Sequence, residues 1–309
     1  MSFPYTQAFL TVANGLNVLN VAVVSGTRGV IGGGYSTTTV MDYITIETTG
    51  NATDFGDLTA ARYGVAGVSS GTRGVFGGGS TGSDSNIMEY ITIGTTGNAT
   101  DFGDLTVARL YHAGVSSDTR GVFGGGFASA APNNTMDYIT IASAGNATDF
   151  GDLTLGRRNL ANVESDTRGV FCGGTSYGNS NVMDYITIAS AGNATDFGDL
   201  TAATKGVMGV SSSTRGCIGG GILVVNTNVI EYITIASTGN ATDFGDLTVA
   251  RRQGTSGGIN TNTRGVFCGG FVTNNVNTMD YITIDTTGNA TDFGDLSVAR
   301  TESGGLSGE

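Results

Sequence analysis

The chain has 309 residues, of which 52 are glycine and only 2 are proline. A hydrophobic content of 39% supplies enough apolar side chain for a packed core, which excludes a chain that is disordered by composition. The formal net charge of −12 disfavours the phosphate backbone of a nucleic acid as a partner.

Residues 1–16 form a predicted N-terminal arm. They contain neither the basic stretch nor the apolar stretch of a signal peptide, so none is predicted. Leu10–Asn14 (LTVAN) is similar to Leu105–Arg109 (LTVAR) in the repeats that follow. The arm therefore holds a predicted spare strand, which caps the last repeat, closes the domain or pairs with another subunit.

Residues 17–300 consist of six copies of one repeat. The segment TRGVIGGG at Thr27 returns with small changes at Thr72, Thr119, Thr167, Thr214 and Thr263. After each comes a variable stretch, then MDYITI or a near copy, a Gly-Asn turn, ATDFGDLT, and usually an Ala-Arg pair. A period of 20–50 residues is typical of solenoids, arrays and propellers. The predicted boundaries are 17–62, 63–109, 110–157, 158–204, 205–251 and 252–300.

Each repeat divides into four short strands, called a, b, c and d. In the second copy they are Gly64–Ser69, Arg73–Gly77, Ile87–Thr95 and Phe102–Ala108, separated by Gly, Asn and Asp clusters. No window has a helical period. Strand c carries bulky side chains on both faces, as in a sheet packed between two neighbours. The pattern predicts an all-β, six-bladed β-propeller with four antiparallel strands per blade, followed by a flexible tail at 301–309.

The repeats resemble the kelch family of propellers. A kelch blade has a glycine pair ending its second strand, a tyrosine in its third and a tryptophan in its fourth. Here Gly77 and Gly78, Tyr90 and Phe102 match this pattern, with phenylalanine in place of tryptophan throughout. The wording of the repeat (YITI, TTGNATDFGDLT) also resembles repeats in virion and tail proteins of marine bacteriophages.

The sequence offers little for catalysis. A triad needs a histidine base, and His112 is the only histidine. Cys172, Cys217 and Cys268 are predicted to be small buried hydrophobes. The Asn and Asp side chains of NATDFGD favour turn capping over calcium binding, which stays the alternative. We predict no enzyme activity, no cofactor and no metal.

The repeated charges are predicted to be structural ion pairs. Strand b opens with an arginine and strand d with two aspartates, so these groups are expected at the same end of a blade. The predicted pairs use Arg73 with Asp101 or Asp104, and Arg120 with Asp149 or Asp152, either between strands of one blade or between neighbouring blades. Removal of Arg120 is accordingly expected to lower the thermal stability.

The repeats diverge at one end of the blades only. In an antiparallel blade the a–b and c–d connections share one face, here named the uniform face because its loops are nearly identical. The b–c and d–a connections share the other, the variable face, which differs in length and residue type. Recognition is usually carried by diverse loops on a rigid scaffold. The candidate binding residues are Tyr35, Tyr63, Tyr111, His112, Phe127, Arg158, Tyr177, Ile222, Leu223, Arg252 and Phe271.

These features predict a non-enzymatic structural or adhesive propeller, located in a bacteriophage virion as a tail or capsid-associated protein. Its expected partners are another virion protein or a host-surface glycan or protein, without membrane insertion, and the N-terminal arm offers a route to oligomers. The alternative is a lectin-like carbohydrate-binding propeller unrelated to phage. A propeller enzyme is the remote alternative, because no convergent non-periodic polar set is evident in the sequence.

Overall fold

The structure, a computed structural model, describes residues 27–35 and 38–308. Within those residues every regular element is a strand, and the sheets are antiparallel meanders of neighbouring strands. Six such sheets form the six blades of a β-propeller, so the predicted fold class is confirmed. The N-terminal arm and its spare strand lie outside the described residues.

The strands are given from the axis outward. Blade 1 contains β25 (Gly304–Gly308), β1 (Arg28–Gly32), β2 (Val40–Thr45) and β3 (Thr53–Asp57). Blade 2 contains β4 (Ala66–Ser69), β5 (Arg73–Gly77), β6 (Ile87–Thr92) and β7 (Thr100–Asp104). Blade 3 contains β8 (Ala113–Ser116), β9 (Arg120–Gly124), β12 (Thr135–Thr140) and β13 (Thr148–Asp152), with the small hairpin β10 (Phe127–Ala128) and β11 (Ala131–Pro132) in its b–c loop. Blade 4 contains β14 (Ala161–Glu164), β15 (Arg168–Cys172), β16 (Val182–Thr187) and β17 (Thr195–Asp199). Blade 5 contains β18 (Met208–Ser211), β19 (Arg215–Gly219), β20 (Val229–Thr234) and β21 (Thr242–Asp246). Blade 6 contains β22 (Arg264–Phe271), β23 (Asn275–Thr283) and β24 (Thr291–Asp295).

Blade 1 is assembled from two distant parts of the chain. β25 takes its innermost position and pairs with β1 from Arg28↔Gly308 to Gly32↔Gly304. The prediction of a flexible tail at 301–309 was therefore wrong, and the propeller continues to residue 308. The physical reason is that GGLSG supplies small residues around one buried apolar side chain at the crowded axis, as AGVS does in β4.

The innermost position of blade 6 is irregular. Thr255–Thr261 runs beside β22 and is held by only a few backbone hydrogen bonds, such as Val266 N to Ile259 O at 2.8 Å. Ser256 turns away from its own blade and forms a parallel bridge with Gly304 of blade 1. This segment thus joins the last blade to the strand that closes the ring.

Neighbouring blades are joined by a shared apolar core. Between blades 2 and 3, Phe102 of β7 packs in one cluster with Phe123 of β9 and with Ile139 of β12. Six such clusters are present among the described residues, one for each blade junction. Both faces of strand c are buried in this way, as its sequence predicted.

The repeated Asp-Phe-Gly motif forms a β-bulge on strand d. Met88 of β6 is opposite Gly103, and the next residue, Glu89, is opposite Asp101, which leaves Phe102 as the extra residue. The bulge turns the Phe102 ring against Tyr90, with ring centroids 6.2 Å apart. The same register shift recurs in all six blades.

Gly103 lets the following blade approach this bulge. Its φ is +136°, and a Cβ there would lie 2.5 Å from the carbonyl oxygen of Gly145 in blade 3. Gly145 N donates to Phe102 O, and Asp104 N donates to the side-chain oxygen of Asn146 at 3.1 Å. The Gly-Asn turn therefore caps the outer strand of the neighbouring blade, where we expected it to cap its own turn.

The arginine that opens strand b does not form the predicted ion pair. Arg73 lies 4.6 Å from the ring centroid of Tyr90 and donates to the carbonyl oxygens of Ile141 and Ala142 in blade 3. Arg120 contacts Tyr138 and the carbonyl oxygens of Ile188 and Ala189 in the same way. Neither arginine has an ion pair among the described residues, and Asp101, Asp104, Asp149 and Asp152 have none either. The predicted pairs were wrong because these aspartates, which are exposed or half-buried, compete poorly with a tyrosine ring and backbone carbonyls that lie within reach of the arginines.

The buried ion pairs are made by the arginine that follows strand d. Arg109 extends from the end of β7 into blade 3, where it lies 2.7 Å from Asp137 of β12 and also donates to Phe123 O. Both side chains are fully buried. Burial lowers the pKa of Arg109, and the Asp137 charge offsets this effect. We name this arrangement the arginine anchor.

In the described part of the chain, five blade junctions have an arginine anchor. The pairs are Arg62–Glu89, Arg109–Asp137, Arg157–Asp184, Arg251–Asp280 and Arg300–Asp42. Each joins the end of one blade to strand c of the next, and the last one closes the ring from blade 6 to blade 1.

Arg109→Ala is expected to cost about 3–5 kcal/mol of unfolding free energy, because it leaves the Asp137 carboxylate buried without a counter-charge. Arg120→Ala is expected to cost about 1–2 kcal/mol, since it removes a cation–π contact and exposed hydrogen bonds. Denaturant unfolding of the two variants measures the difference. Equal losses would contradict the assignment of the buried ion pairs.

Leu306→Ala tests the closure of blade 1. Leu306 of β25 is 1% exposed, so its truncation is expected to cost about 2–5 kcal/mol. The control is Leu155→Ala, at a residue that is 38% exposed, with an expected loss of about 1 kcal/mol or less. An unaffected Leu306→Ala variant would indicate a loose tail.

Candidate binding site on the variable face

All but one of the predicted binding residues are at least partly exposed on the variable face. They are Tyr35, Tyr63, Tyr111, Phe127, Arg158, Tyr177, Ile222, Leu223, Arg252 and Phe271. Tyr177 is the most exposed, at 96%.

His112 is not on this surface. It is 1% exposed, and its ring packs edge-on against Phe123 with centroids 5.7 Å apart. Burial first, and then the charges of Arg109 and Arg62, hold its pKa well below the usual value, so the imidazole is neutral. The prediction was wrong because His112 occupies a repeat position that is a core position, filled by valine in blade 2 (Val65).

A closed ring of backbone hydrogen bonds surrounds the propeller axis on the variable face. One residue from each d–a junction donates its N–H to the carbonyl of the preceding junction, at 2.7 to 2.9 Å. The six residues are Gly64, Tyr111, Asn159, Gly206, Gln253 and Glu302. All six have a left-handed backbone, with φ between +54° and +68°. For Tyr111, Gln253 and Glu302 this conformation is unfavourable, and such strain is concentrated at functional sites.

We name these six residues the axial ring, and three of their side chains converge. The Tyr111 hydroxyl donates to Glu302 Oε2 at 3.2 Å, and Gln253 Nε2 donates to Glu302 Oε1 at 2.8 Å. Burial raises the pKa of Glu302 to about 7, although the Tyr111 hydrogen bond and the Arg252 charge oppose the rise. Burial and the Glu302 charge raise the pKa of Tyr111 in turn. A carboxyl group that titrates near neutral pH therefore lies at the mouth of the axis.

A depression of about 470 Å³ opens beside this cluster, over the junction of blades 6 and 1. Its polar lining includes Arg252, Asn274 and Glu302, and the rings of Tyr35 and Phe271 form its apolar walls. Aromatic rings with a few fixed polar groups are typical of sites that bind small organic ligands. The arrangement supports recognition of a ligand that combines an apolar face with hydroxyl or amide groups.

Further aromatic residues extend from the depression around the propeller axis. Tyr35 and Tyr63 pack edge to face with centroids 5.2 Å apart, and Tyr63 is 6.1 Å from Tyr111. On the other side of the depression the Arg252 guanidinium lies 4.7 Å from the ring of Phe271. Because each ring contacts another ring or a guanidinium, these side chains are held in place before a ligand arrives.

Hydrogen bonds between blades fix the b–c loops. Asn179 Nδ2 donates to Ile222 O at 3.0 Å, and Asn226 Nδ2 donates to Phe271 O at 3.0 Å. Asn275 Nδ2 donates to Tyr35 O at 3.1 Å, which joins blade 6 to blade 1. The same loop position thus ties each of three blades to the next, and the variable face is a rigid surface along this arc.

An exposed apolar segment lies in the b–c loop of blade 5. Leu223, Val224 and Val225 are 42%, 92% and 71% exposed. Tyr177, in the corresponding loop of blade 4, adds a further exposed ring. Such patches favour contact with a partner, although this one is separate from the depression.

The sequence analysis placed Tyr111 among the candidate binding residues but did not indicate that it converges with Gln253 and Glu302. The available signal was their shared repeat position, where glycine stands in blades 2 and 5. Glycine in two repeats predicts a left-handed backbone in every repeat, and hence a common direction for the side chains that replace it.

Metal and membrane sites receive no support from the described part of the chain. No group of three or more His, Cys, Asp or Glu residues is arranged there to hold a metal ion. The three cysteines are buried, and burial raises the pKa of each thiol to about 12. No helix within the described ranges is long and apolar enough to cross a membrane.

Comparison with known proteins adds no assignment, since no model of a protein family matches the chain and no curated protein matches it significantly.

The raised pKa of Glu302 predicts a pH-dependent stability that Glu302→Gln removes. The folded-state pKa of about 7 lies above the usual 4.5, so the stabilising contribution is complete below pH 4.5 and is lost as pH rises through 7. Denaturant unfolding at pH 4.5 and pH 8 measures it. The free-energy difference between wild type and variant should change between the two values, and a constant difference would contradict the raised pKa.

Proposed function

We propose that the protein is a non-enzymatic attachment propeller of a bacteriophage virion. In this proposal the variable face binds a host-surface molecule or another virion protein. The observation that carries the binding part is the depression of about 470 Å³ that is lined by Tyr35 and Phe271 together with Arg252 and Glu302.

The contrast between the two faces supports binding at this place. The uniform face uses the same turns for the same inter-blade hydrogen bonds in every repeat, which is a structural task. The variable face has strained residues, a carboxyl group with a raised pKa and loops that are tied together. Strain and perturbed pKa values are typical of functional sites.

The virion part of the proposal is supported by the repeat wording, which resembles that of phage virion and tail proteins. The kelch resemblance is proposed at the same level, from Gly77, Gly78, Tyr90 and Phe102. A kelch-like scaffold is compatible with many functions, so the site and not the fold carries the argument for binding.

A lectin-like propeller outside any phage is the second candidate. It is favoured by the composition of the depression, because exposed aromatic faces beside amide and carboxyl groups suit a sugar ring. Both candidates use the same binding site, and they differ in whether the protein belongs to a virion.

An antibody raised against the purified protein, applied to purified virions from cells that carry the gene, tests the virion part. A signal from intact particles is expected. Its absence from particles in which other virion proteins are detected would contradict the virion part of the proposal.

A glycan array tests the binding site. If a glycan binds, Tyr35→Ala and Phe271→Ala are expected to weaken its affinity about tenfold or more, as for central aromatic contacts. Asp118→Ala, an exposed substitution on the uniform face, is the matched control. Binding that resists both aromatic substitutions would place recognition outside the depression.

A further inference from the structure

The junction between blades 4 and 5 departs from the repeat. At the position of the anchoring arginine the chain has Thr204, although the acidic partner on strand c is retained as Glu231. The nearest comparison is the junction of blades 1 and 2, where Glu89 pairs with Arg62. Among the described residues no lysine, arginine or histidine forms an ion pair with Glu231.

Glu231 is otherwise held as its counterparts are. Thr201 donates its backbone N–H to Glu231 Oε2 at 3.2 Å and its hydroxyl to Oε1. Thr59 holds Glu89 through the same two atoms. The carboxylate is therefore positioned to receive a guanidinium group that this chain does not provide.

A cavity of about 60 Å³ lies beside Glu231 and Thr204. This volume is several times the space that one water molecule requires. At the other junctions the corresponding space is filled by an arginine side chain with no exposed surface. Replacement of that side chain by threonine accounts for the cavity.

The backbone carbonyl groups that accept hydrogen bonds from the anchoring arginine at other junctions have counterparts in the cavity wall. In blade 2, Arg62 donates to the carbonyl oxygens of Gly78 and Ile87, and Gly220 and Val229 occupy the same positions in blade 5. In blade 3, Arg109 donates to the carbonyl oxygen of Phe123, which corresponds to Ile218. Gly220, Val229 and Ile218 all line the cavity.

The cavity is reached from the variable face. Glu231 is 8% exposed, whereas its five counterparts have no exposed surface. Leu223 and Val229, both partly exposed, form part of the wall. A ligand can thus enter beneath the apolar b–c loop of blade 5.

The electrostatics favour a cation. Burial raises the pKa of Glu231, and the charge of Asp243 on the adjacent strand adds to the rise, whereas hydrogen bonds from Thr201 oppose it. A cation in the cavity would offset the free-energy cost of desolvating the carboxylate, as the arginine does at the other five junctions.

We propose that this cavity binds a guanidinium group, with Glu231 as its counter-charge and the carbonyl groups of Ile218, Gly220 and Val229 as further acceptors. The guanidinium comes from a small compound or from an arginine side chain of a protein partner, and the second source rests on the proposed function of the variable face. The site is separate from the depression between blades 6 and 1.

Isothermal titration of the purified protein with methylguanidinium chloride tests the proposal. One saturable site per chain is expected. Sodium chloride at equal ionic strength and urea, a neutral planar analogue, are expected not to compete. Titration of the wild type without a saturable site would overturn the proposal.

Two variants link the binding to the cavity. Glu231→Gln is expected to weaken methylguanidinium binding about tenfold or more, because it removes the charged acceptor. Thr204→Arg is expected to abolish binding and to raise the melting temperature, since the chain then fills its own cavity. Unchanged binding in a folded Thr204→Arg variant would overturn the assignment, even if Glu231→Gln failed to fold.

The two sources of the guanidinium are distinguished with the peptides Gly-Arg-Gly and Gly-Lys-Gly. If methylguanidinium and Gly-Arg-Gly bind and Gly-Lys-Gly does not, a protein partner is supported. If methylguanidinium binds and neither peptide does, a small compound is supported. Binding of Gly-Lys-Gly as tightly as Gly-Arg-Gly would overturn the specificity for guanidinium. Thr204→Arg leaves Tyr35 and Phe271 in place, so failure here leaves the proposed function untouched.

Discussion

The arginine anchor is the interaction on which the alignment of neighbouring blades depends at five of the six described junctions. A blade on its own has two apolar faces and could pack on a neighbour in several registers. A guanidinium from one blade that must meet a buried carboxylate on strand c of the next allows only one of them. Buried ion pairs add little net stability compared with apolar packing, but breaking one is costly. The anchors therefore act chiefly on the specificity of blade packing, while the phenylalanine and isoleucine clusters supply most of the apolar burial.

Much of this architecture was predictable because the sequence contains six copies of the repeat that forms one blade. The strands and their order follow from the pattern within one repeat, and the two kinds of face follow from comparison of the six copies. The arginine partners did not follow, because the prediction paired the arginine that opens strand b with the aspartates of strand d. The observed ion pairs instead join the arginine after strand d to the acidic residue on strand c of the next blade. His112 was misplaced for a related reason: its loop-like surroundings in the sequence conceal a core position, which blades 2, 4 and 5 fill with Val65, Leu160 and Val207. The tail was misread since GGLSG has weak strand propensity, and only the crowding at the axis explains why it pairs with β1.

The candidate binding site was predictable in outline and not in chemistry. Divergence of the loops indicated the correct face, and Tyr35, Arg252 and Phe271 are among the residues that line the depression. The cluster of Tyr111, Gln253 and Glu302 depends on a backbone conformation that no single repeat reveals. The guanidinium cavity is a further case, in which the informative feature is one arginine missing from an otherwise regular pattern. In a repeat protein, function is thus best sought at positions where the structural role of the repeat is known and one copy lacks it.

The two-part construction of blade 1 has a consequence for the order of folding. Arg300 and its acceptor Gly33 O are 267 residues apart in sequence, so this contact closes a very long loop. Blades 2 to 5 each complete their four strands locally and have a low entropic barrier to formation. Among the described residues, the inner edge of β1 in blade 1 is paired only when β25 reaches it. An incomplete chain would expose that edge to other chains, which makes closure the step at which this propeller is most prone to misassembly.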